Sequence, residues 1–358
     1  MTILVTGGAG FIGANFVLDW VRSTDEHIVN LDKLTYAGNL GSLSAIAGNS
    51  QHHFVHGDIC DSSLLASTLE EYTPRVVIHF AAESHVDRSI HGPEDFVQTN
   101  IVGTFKLLEA TRQYWENLGD SHRRGFRFIQ VSTDEVYGSL GLDDPPFDEM
   151  SRYSPSSPYS ASKAAADHLA RSYFHTYEFP VITTNCSNNY GPFQFPEKLI
   201  PLMIINGLRG DLLPIYGNGE NVRDWLYVGD HCKAIRTVLV KGEPGATYNI
   251  GGGCEMSNIR TVEAVCSLLD EMRPNSEFVP HCDLISFVED RPGHDFRYAI
   301  NTRKIEQSLG WHPTESFDSG LRKTVGWYLD NSDWIAEISS GEYRSWIDMN
   351  YGSRVGAQ

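Results

Sequence analysis

An apolar run, Ile3-Leu4-Val5, leads straight into TGGAGFIG at residues 6–13, and this junction constrains the fold more than any other segment. Gly7, Gly10 and Gly13 stand three residues apart directly after the strand-like run. A tight strand-to-helix turn needs residues without a Cβ, and so does any close approach of a diphosphate to the backbone. A helix opening at Phe11 and Ile12 would aim its free amides and the positive end of its dipole at such a phosphate. The competing reading is a glycine-rich turn that holds no ligand.

Alternation continues down the chain. Strand-like runs lie at 2–6, 27–31, 52–56, 75–80, 126–132 and 180–186, separated by amphipathic stretches near 11–22, 61–71, 94–117 and 157–178. This pattern predicts an α/β fold with a Rossmann-type doubly wound parallel sheet. Such a sheet takes its ligand at the carboxyl ends of its strands, so the loops that follow them are where chemistry is expected. Beyond about residue 190 the connections become Gly- and Pro-rich, as at 191–197, 214–223, 242–246 and 290–296. We expect a dinucleotide-binding domain over 1–190 that also carries the catalytic residues. A smaller, mixed, mainly substrate-binding lobe is expected over 191–358, with the chain crossing back to the first after 220.

The chain carries 46 acidic against 28 basic side chains, a formal charge of −18, with no Lys/Arg block. That field repels nucleic acid, so no DNA or RNA partner is expected, and an anionic small molecule would need local cations. Cys60, Cys186, Cys232, Cys254, Cys266 and Cys282 are scattered without a C-x-x-C pair. Buried free thiols are expected, with no metal site and no disulfide framework. The sequence opens on an apolar strand and contains no run of about 18 apolar residues, so a cytoplasmic protein without membrane contact is expected.

Asp32 ends the second strand-like run, about 20 residues after Gly13. A carboxylate there accepts the adenosine ribose hydroxyls and repels a 2′-phosphate, which favours NAD over NADP. Lys33 beside it is a cation that could face a phosphate. Asp58 and Ile59 follow the third strand, where the adenine would lie, and Ala81 and Ala82 follow the fourth, where small side chains let the backbone pass close to a cofactor.

Residues 159–163 read YSASK, with Tyr159 and Lys163 four apart and so on one helix face. An ammonium beside a phenol can lower its pKa and make it a base for a sugar hydroxyl. Alone, this spacing would usually mark a solvated helix face. Ser132-Thr133-Asp134-Glu135 ends the fifth strand. Two adjacent carboxylates there suit an elimination, in which a base takes a proton from one carbon and an acid protonates the departing hydroxyl. Consecutive strand residues face opposite ways, so both can reach one substrate only from a turn. An acidic surface turn is the bland alternative.

Together the glycine loop, Ser132-Thr133 and Y-x-x-x-K resemble the extended short-chain dehydrogenase/reductases. TGGAGFIG (6–13), DKLTYAGNL (32–40), AAESHVDRSI (81–90), STDEVYG (132–138), SPSSPYSASKAAADH (154–168), CSNNYGPFQFPEKLIPL (186–202), RDWLYVGDH (223–231) and DRPGHDFRYAI (290–300) further resemble the dTDP-glucose 4,6-dehydratases, in family order to about residue 351. The resemblance implies that Tyr159 deprotonates the C4 hydroxyl as hydride passes to NAD. Glu135 then removes the C5 proton, Asp134 protonates the leaving C6 hydroxyl, Thr133 holds the C4 oxygen, and hydride returns to C6. It also implies cofactor contacts from Leu34, Thr35, Phe80, Ser84, Thr99 and Asn189, beside the residues above. Substrate contacts are implied for Ser84, Thr133, Asn188, Lys198, Leu199, Pro214, Ile215, Tyr216, Arg223, Asn258, Asp290, Arg291, His294 and Tyr298.

Within the superfamily, a 4-epimerase or decarboxylase is the rival, and a UDP- or GDP-hexose is the rival substrate. An epimerase has no use for Asp134 and Glu135. A non-catalytic dinucleotide-binding regulator would not need Tyr159, Lys163 and the acid pair, all of which are present. The stretch from Gly138 to Tyr159 is short compared with many members and is expected at the cleft rim. Resemblance also implies a homodimer paired through the helices near 94–117 and 157–178.

Overall fold

The computed structural model describes residues 1–339, so the last part of the expected second lobe lies outside the described residues. The first half alternates as expected: β1 (Thr2–Thr6), α1 (Phe11–Ser23), β2 (His27–Asp32), β3 (His52–His56), α2 (Ser62–Tyr72) and β4 (Val76–His79). Next come α3 (Val86–His91), α4 (Pro93–Phe96), α5 (Thr104–Glu116), α6 (Asp120–Gly125), β5 (Arg127–Thr133), α7 (Pro158–Tyr177) and β6 (Val181–Cys186). The second half holds β7 (Asn188–Tyr190), α8 (Leu199–Arg209), β8 (Leu213–Tyr216), β9 (Val222–Tyr227), α9 (Val228–Lys241) and β10 (Thr247–Ile250). It ends with β11 (Glu255–Ser257), α10 (Asn258–Met272), β12 (Ile285–Val288), α11 (Arg303–Leu309), α12 (Phe317–Asp330) and α13 (Ser332–Ile338).

Among the described residues the main sheet has seven strands, all parallel, in the order β10-β6-β5-β4-β1-β2-β3. Strand order reverses between β1 and β4, where Thr6 pairs with His79, and the two chains diverge there to open a crevice. Apolar strand residues feed both faces. Ile3, Val5 and Ile129 pack with Phe16 and Val17 of α1 and with Ile235 and Val238 of α9. Leu4, Val77 and Phe128 pack on the other face with Leu65, Leu108 and Ala170 from α2, α5 and α7. Sheet and helices therefore bury each other's apolar surface on both sides, which is why the strands read as continuous rather than alternating.

Two features differ from the sequence reading. The stretch near 94–117 is not one helix: a π-helical segment, Val97–Gly103, separates α4 from α5. At its centre Asn100 is buried and donates to the Glu83 carbonyl and to Ser162 Oγ, contacts that hold the segment against the loop after β4 and against α7. The seventh strand, β10, comes from the second half of the chain and pairs with β6.

The remaining elements build a second core around α8, α10 and α12, with the small sheets β11-β9-β7 and β12-β8. The short stretch after Gly138 runs along residues 297–300, where Leu140 bridges to Arg297 and Phe147 to Ile300. All six cysteines are free, but only Cys186, Cys232 and Cys266 are buried; Cys60 and Cys254 are half-buried and Cys282 is exposed. No helix among the described residues is long and apolar enough to cross a membrane, and none of their His, Cys, Asp and Glu side chains form a metal-binding group.

Candidate active site

The crevice opens into a cleft of about 270 Å³ that runs from the glycine loop to Lys198. At one end it is walled by Gly7, Gly10, Phe11, Ile12 and Gly13, then by Asp32, Lys33, Thr35, Asp58 and Ile59, and by Phe80, Ala81, Ala82, Ser84 and Thr99. Here the glycines are required. Gly7 sits at φ +75, and a Cβ on it would lie 2.5 Å from the Ala81 nitrogen. A Cβ on Gly13 would lie 2.1 Å from the Gly7 carbonyl oxygen. Strand, loop and helix thus meet with room only for backbone, leaving the amides at the start of α1 facing the cleft.

Asp32 shapes this end. Its carboxylate accepts the Ala9 amide at 2.9 Å and the Leu34 amide at 2.8 Å, pinning the glycine loop to the end of β2. Burial pushes its pKa up, and the two amides oppose that push. Leu34 lies off the cleft wall; at φ 55 it forms the turn that returns the chain. Lys33, the cation expected beside Asp32, is exposed and pairs its ammonium with Asp58 at 2.8 Å.

The middle of the cleft is lined by Thr133, Asp134, Glu135, Tyr159 and Lys163, the residues expected to carry catalysis. The polypeptide leaves β5 in a single 3-10 turn, Asp134–Tyr137, capped by Thr133, whose Oγ1 accepts the Glu135 amide at 3.3 Å. The turn brings both carboxylates to the cleft wall, which a strand could not do. Asp134 is 2 % exposed, and its Oδ2 is buried without a hydrogen-bond partner. Burial, then Glu135 and Asp224, raise its pKa well above the ordinary carboxylate value, which favours the protonated acid. Burial also raises Glu135, but Arg291, Lys198 and Arg223 oppose the rise and support its charge. Both carboxyls are thus shifted upward, with three cations opposing the rise at Glu135.

Tyr159 and Lys163 reach the cleft from the first turns of α7. A capping box between Ser157 and Ser160, with Pro158 in the first turn, fixes where this helix begins. Lys163 Nζ donates to the Val131 carbonyl at 2.8 Å, so the ammonium is anchored on β5. Burial, then Glu135, pushes the Tyr159 phenol well above its usual range, while the Thr133 hydroxyl pulls it down.

Beyond this point Asn188 and Asn189 line the wall, and Lys198 Nζ donates to the Ser84 carbonyl at 2.7 Å. The other expected substrate residues lie off this wall, in the second lobe next to it. Arg291 reaches Asp87 at 3.1 Å, and Tyr216 donates to the same carboxylate at 3.0 Å. Arg291 Nε is buried without a partner. Arg223 lies over the Tyr298 ring at 4.4 Å and donates to the Asp295 carbonyl at 3.0 Å. His294 Nδ1 and Asp290 Oδ1 are 2.6 Å apart. Leu199 opens α8, Pro214 and Ile215 lie in β8 with Ile215 buried in the lobe core, and Asn258 opens α10 behind its cap Ser257. Lys198 on the wall and Arg223 and Arg291 beside it in the second lobe are the cations nearest Glu135.

The chain matches the GDP-mannose 4,6 dehydratase family model over residues 4–324. It is 58% identical to a dTDP-glucose 4,6-dehydratase of Xanthomonas campestris pv. campestris, over 96% of this chain and 97% of that one. It is 54% identical to the dTDP-glucose 4,6-dehydratase of Salmonella typhimurium, over 99% and 100%. The chain belongs to the dTDP-glucose 4,6-dehydratase family. Among solved structures it resembles that of the Streptomyces venezuelae dTDP-glucose 4,6-dehydratase DesIV with NAD and dTDP bound, with a TM-score of 0.86 and 43% identity over 94% of this chain and all of that one. A UDP-glucose 4-epimerase of Thermotoga maritima is more distant, with a TM-score of 0.80 and 28% identity over 93% and 100%.

For a 4,6-dehydratase family member, the cleft has further walls that the sequence reading missed: Ala37, Gly38, Glu83, Cys186, Ser187, Gln194, Phe195 and Glu197. Glu197 is the hub of a clasp. It accepts the Tyr36 hydroxyl at 3.1 Å and Arg88 Nε at 2.9 Å, while the Arg88 guanidinium sits 3.7 Å from the Tyr36 ring centre. The clasp joins the loops after β2 and before α8 to α3. Its members come from segments that carry no periodicity, and the available signal was the family resemblance of the three segments that hold them, 32–40, 81–90 and 186–202.

Proposed function

We propose that this chain is an NAD-dependent dTDP-glucose 4,6-dehydratase, converting dTDP-glucose to dTDP-4-keto-6-deoxyglucose and water. The observation that carries this reading is the acid pair at the end of β5. Asp134 is buried with its Oδ2 unpartnered, and Glu135 follows it on the same turn with Arg291, Lys198 and Arg223 opposing the effect of its burial, beside Tyr159 on the same cleft wall. A 4-epimerase would need only Tyr159 and its neighbours.

The fit to NAD rests on the glycine cradle, where any Cβ on Gly7 or Gly13 would strike backbone, and on Asp32 at the end of β2. Gly10, Phe11, Ile12, Asp58, Ile59, Phe80, Ala81, Ala82, Thr99 and Asn189 would complete that site. The chemistry NAD supplies when bound is reversible hydride acceptance. In the proposed reaction Tyr159 takes the proton of the C4 hydroxyl, with Lys163 beside it and Thr133 donating to the C4 oxygen. The resulting ketone acidifies the C5 proton, which Glu135 removes. Asp134 protonates the C6 hydroxyl as it departs, and its unpartnered Oδ2 suits a donor waiting for substrate. Lys198, Arg223 and Arg291 would hold the diphosphate, with Arg291 Nε and the Arg223 fork as donors. Tyr216, Asn258, His294 and Tyr298 would frame the nucleoside.

Residues 1–190 would serve as the cofactor and catalytic lobe and 191–358 mainly as the substrate lobe. Val97, Phe105 and Tyr177, exposed by 49%, 45% and 44% around α5 and α7, support a homodimer through these helices. A cytoplasmic location fits the absence of a membrane-crossing helix among the described residues. The test is turnover: the 4-keto-6-deoxy product is expected from dTDP-glucose in preference to UDP- and GDP-glucose. Epimerised sugar with no loss of water would refute the reading.

A further inference from the structure

Tyr159, Lys163 and Asp167 are spaced by four on α7 and form a buried row facing the ends of β5 and β6. Asp167 is 3 % exposed and is not needed for any step described above. Its Oδ2 accepts Ser132 Oγ at 2.6 Å and the Tyr153 hydroxyl at 3.3 Å. Tyr153 in turn accepts Asn185 Nδ2 at 3.2 Å, and the same amide donates to the Thr133 carbonyl at 3.2 Å. One carboxylate thus clips α7 to the strand end from which Thr133, Asp134 and Glu135 project.

Asp167 also answers a charge question. An ammonium out of water loses its proton unless an anion stands near it. Burial lowers the pKa of Lys163, and Asp167 is the foremost group that raises it again, ahead of the Cys186 thiol at the end of β6. The remaining titratable neighbour, His79 at the end of β4, is kept neutral by burial and by Lys163 itself, with its pKa lowered to about 3. Burial raises the Asp167 carboxyl to about 6 against the opposing pull of Lys163 on its own helix, Ser132 and Gln130 from β5 and the phenol of Tyr153, so it is an anion above that pH.

We propose, on the reading that Tyr159 and Lys163 oxidise C4, that Asp167 is a positioning residue of that pair: it fixes α7 on the end of β5 and stands as the buried anion opposite Lys163. Its two roles separate in experiment. Ser132→Ala removes the 2.6 Å clip and keeps the anion, whereas Asp167→Asn keeps the shape and removes the charge.

The test uses dTDP-6-deoxyglucose, which lacks the C6 hydroxyl and can only be oxidised at C4, so Asp134 is silent. The rate of 4-ketone formation in a single turnover of the holoenzyme is followed against pH. Oxidation should fall at high pH as Lys163 loses its proton. In Asp167→Asn that fall should move down by about one pH unit or more, the scale on which an opposite charge shifts a neighbour, with the KM little changed. Ser132→Ala should keep the native position of the fall at a reduced rate, as should Asp167→Glu. A uniform loss of rate in Asp167→Asn with the fall in its native place would overturn the proposal, and so would an equal shift in Ser132→Ala. If only UDP- or GDP-linked sugars are oxidised, the substrate assignment fails and the same comparison is made with those sugars. If none is oxidised, both fall.

Discussion

Replacing the two carboxylates one at a time separates their roles, because each amide blocks a different half of the elimination. Asp134→Asn fills the same space but has no acidic proton to give. The site offers Asp134 little else: one hydroxyl contact at 3.4 Å from Thr133 and a second oxygen without a partner. No neighbouring donor is therefore in place to take over. Loss of a general acid costs on the order of 10²–10⁴ in rate, or roughly 2.7–5.4 kcal/mol of barrier at 1.36 kcal/mol per decade. The assay is dTDP-glucose in deuterated water, with mass spectrometry of both product and recovered substrate. Asp134→Asn should form product slower by that factor, while deuterium still enters C5 of recovered dTDP-glucose, because Tyr159 and Glu135 continue to act. Glu135→Gln should lose both product and exchange. Product from Asp134→Asn at more than about a tenth of the native rate, or native C5 exchange in Glu135→Gln, would refute the assignment.

Three further outcomes are expected. Turnover should fall as pH drops through the pKa of Glu135: burial raises that pKa above its ordinary 4.5, so the base is protonated and lost at a pH where an exposed glutamate would still be charged. A pH profile of kcat with its acid limb at or below 4.5 would contradict this. Asp32→Asn should weaken NAD binding by roughly ten- to a hundredfold, the scale of about 1.5–3 kcal/mol for hydrogen bonds to a charged group, as read by calorimetry. Gly13→Ala should lower the melting temperature and impair NAD binding, because its Cβ would meet the Gly7 carbonyl oxygen at 2.1 Å and overpacking against rigid backbone costs about 1–3 kcal/mol or more.

The first six strands of the main sheet and the helices α1, α2 and α7 were legible because each is a local pattern of apolar residues or amphipathic spacing, whereas α9, which covers one face of the sheet, was not read. The glycine loop and Asp32 were legible for a related reason, since turn geometry and hydrogen bonding act over a few residues. Strand β10 was not, because TYNI is four residues long and its pairing with Thr183–Cys186 is made across more than sixty positions of chain. The π-helical break at Val97–Gly103 was also hidden, since an extra residue in the turn is set by where Asn100 must reach. At the site, Asp134 and Glu135 could be recognised as a pair, and the need for a turn could be argued from strand geometry. Their different electrostatic surroundings could not, because these depend on Asp224, Arg223, Lys198 and Arg291, which lie far along the chain. The anchoring of Lys163 on Val131 and the Glu197 clasp likewise depend on distant segments meeting.

The entry of β10 at the outer edge of the sheet has a consequence for how the protein is made. Until residues 247–250 have been synthesised, β6 presents an unpaired edge with a row of free amides and carbonyls. The apolar side chains of α9 that cover one face of the sheet are also still missing at that stage. A nascent chain ending near residue 190 therefore holds six of the seven strands with one sticky open edge. A single cut near residue 190 would leave the main sheet without its edge strand, so the two proposed lobes do not separate at one point of the chain.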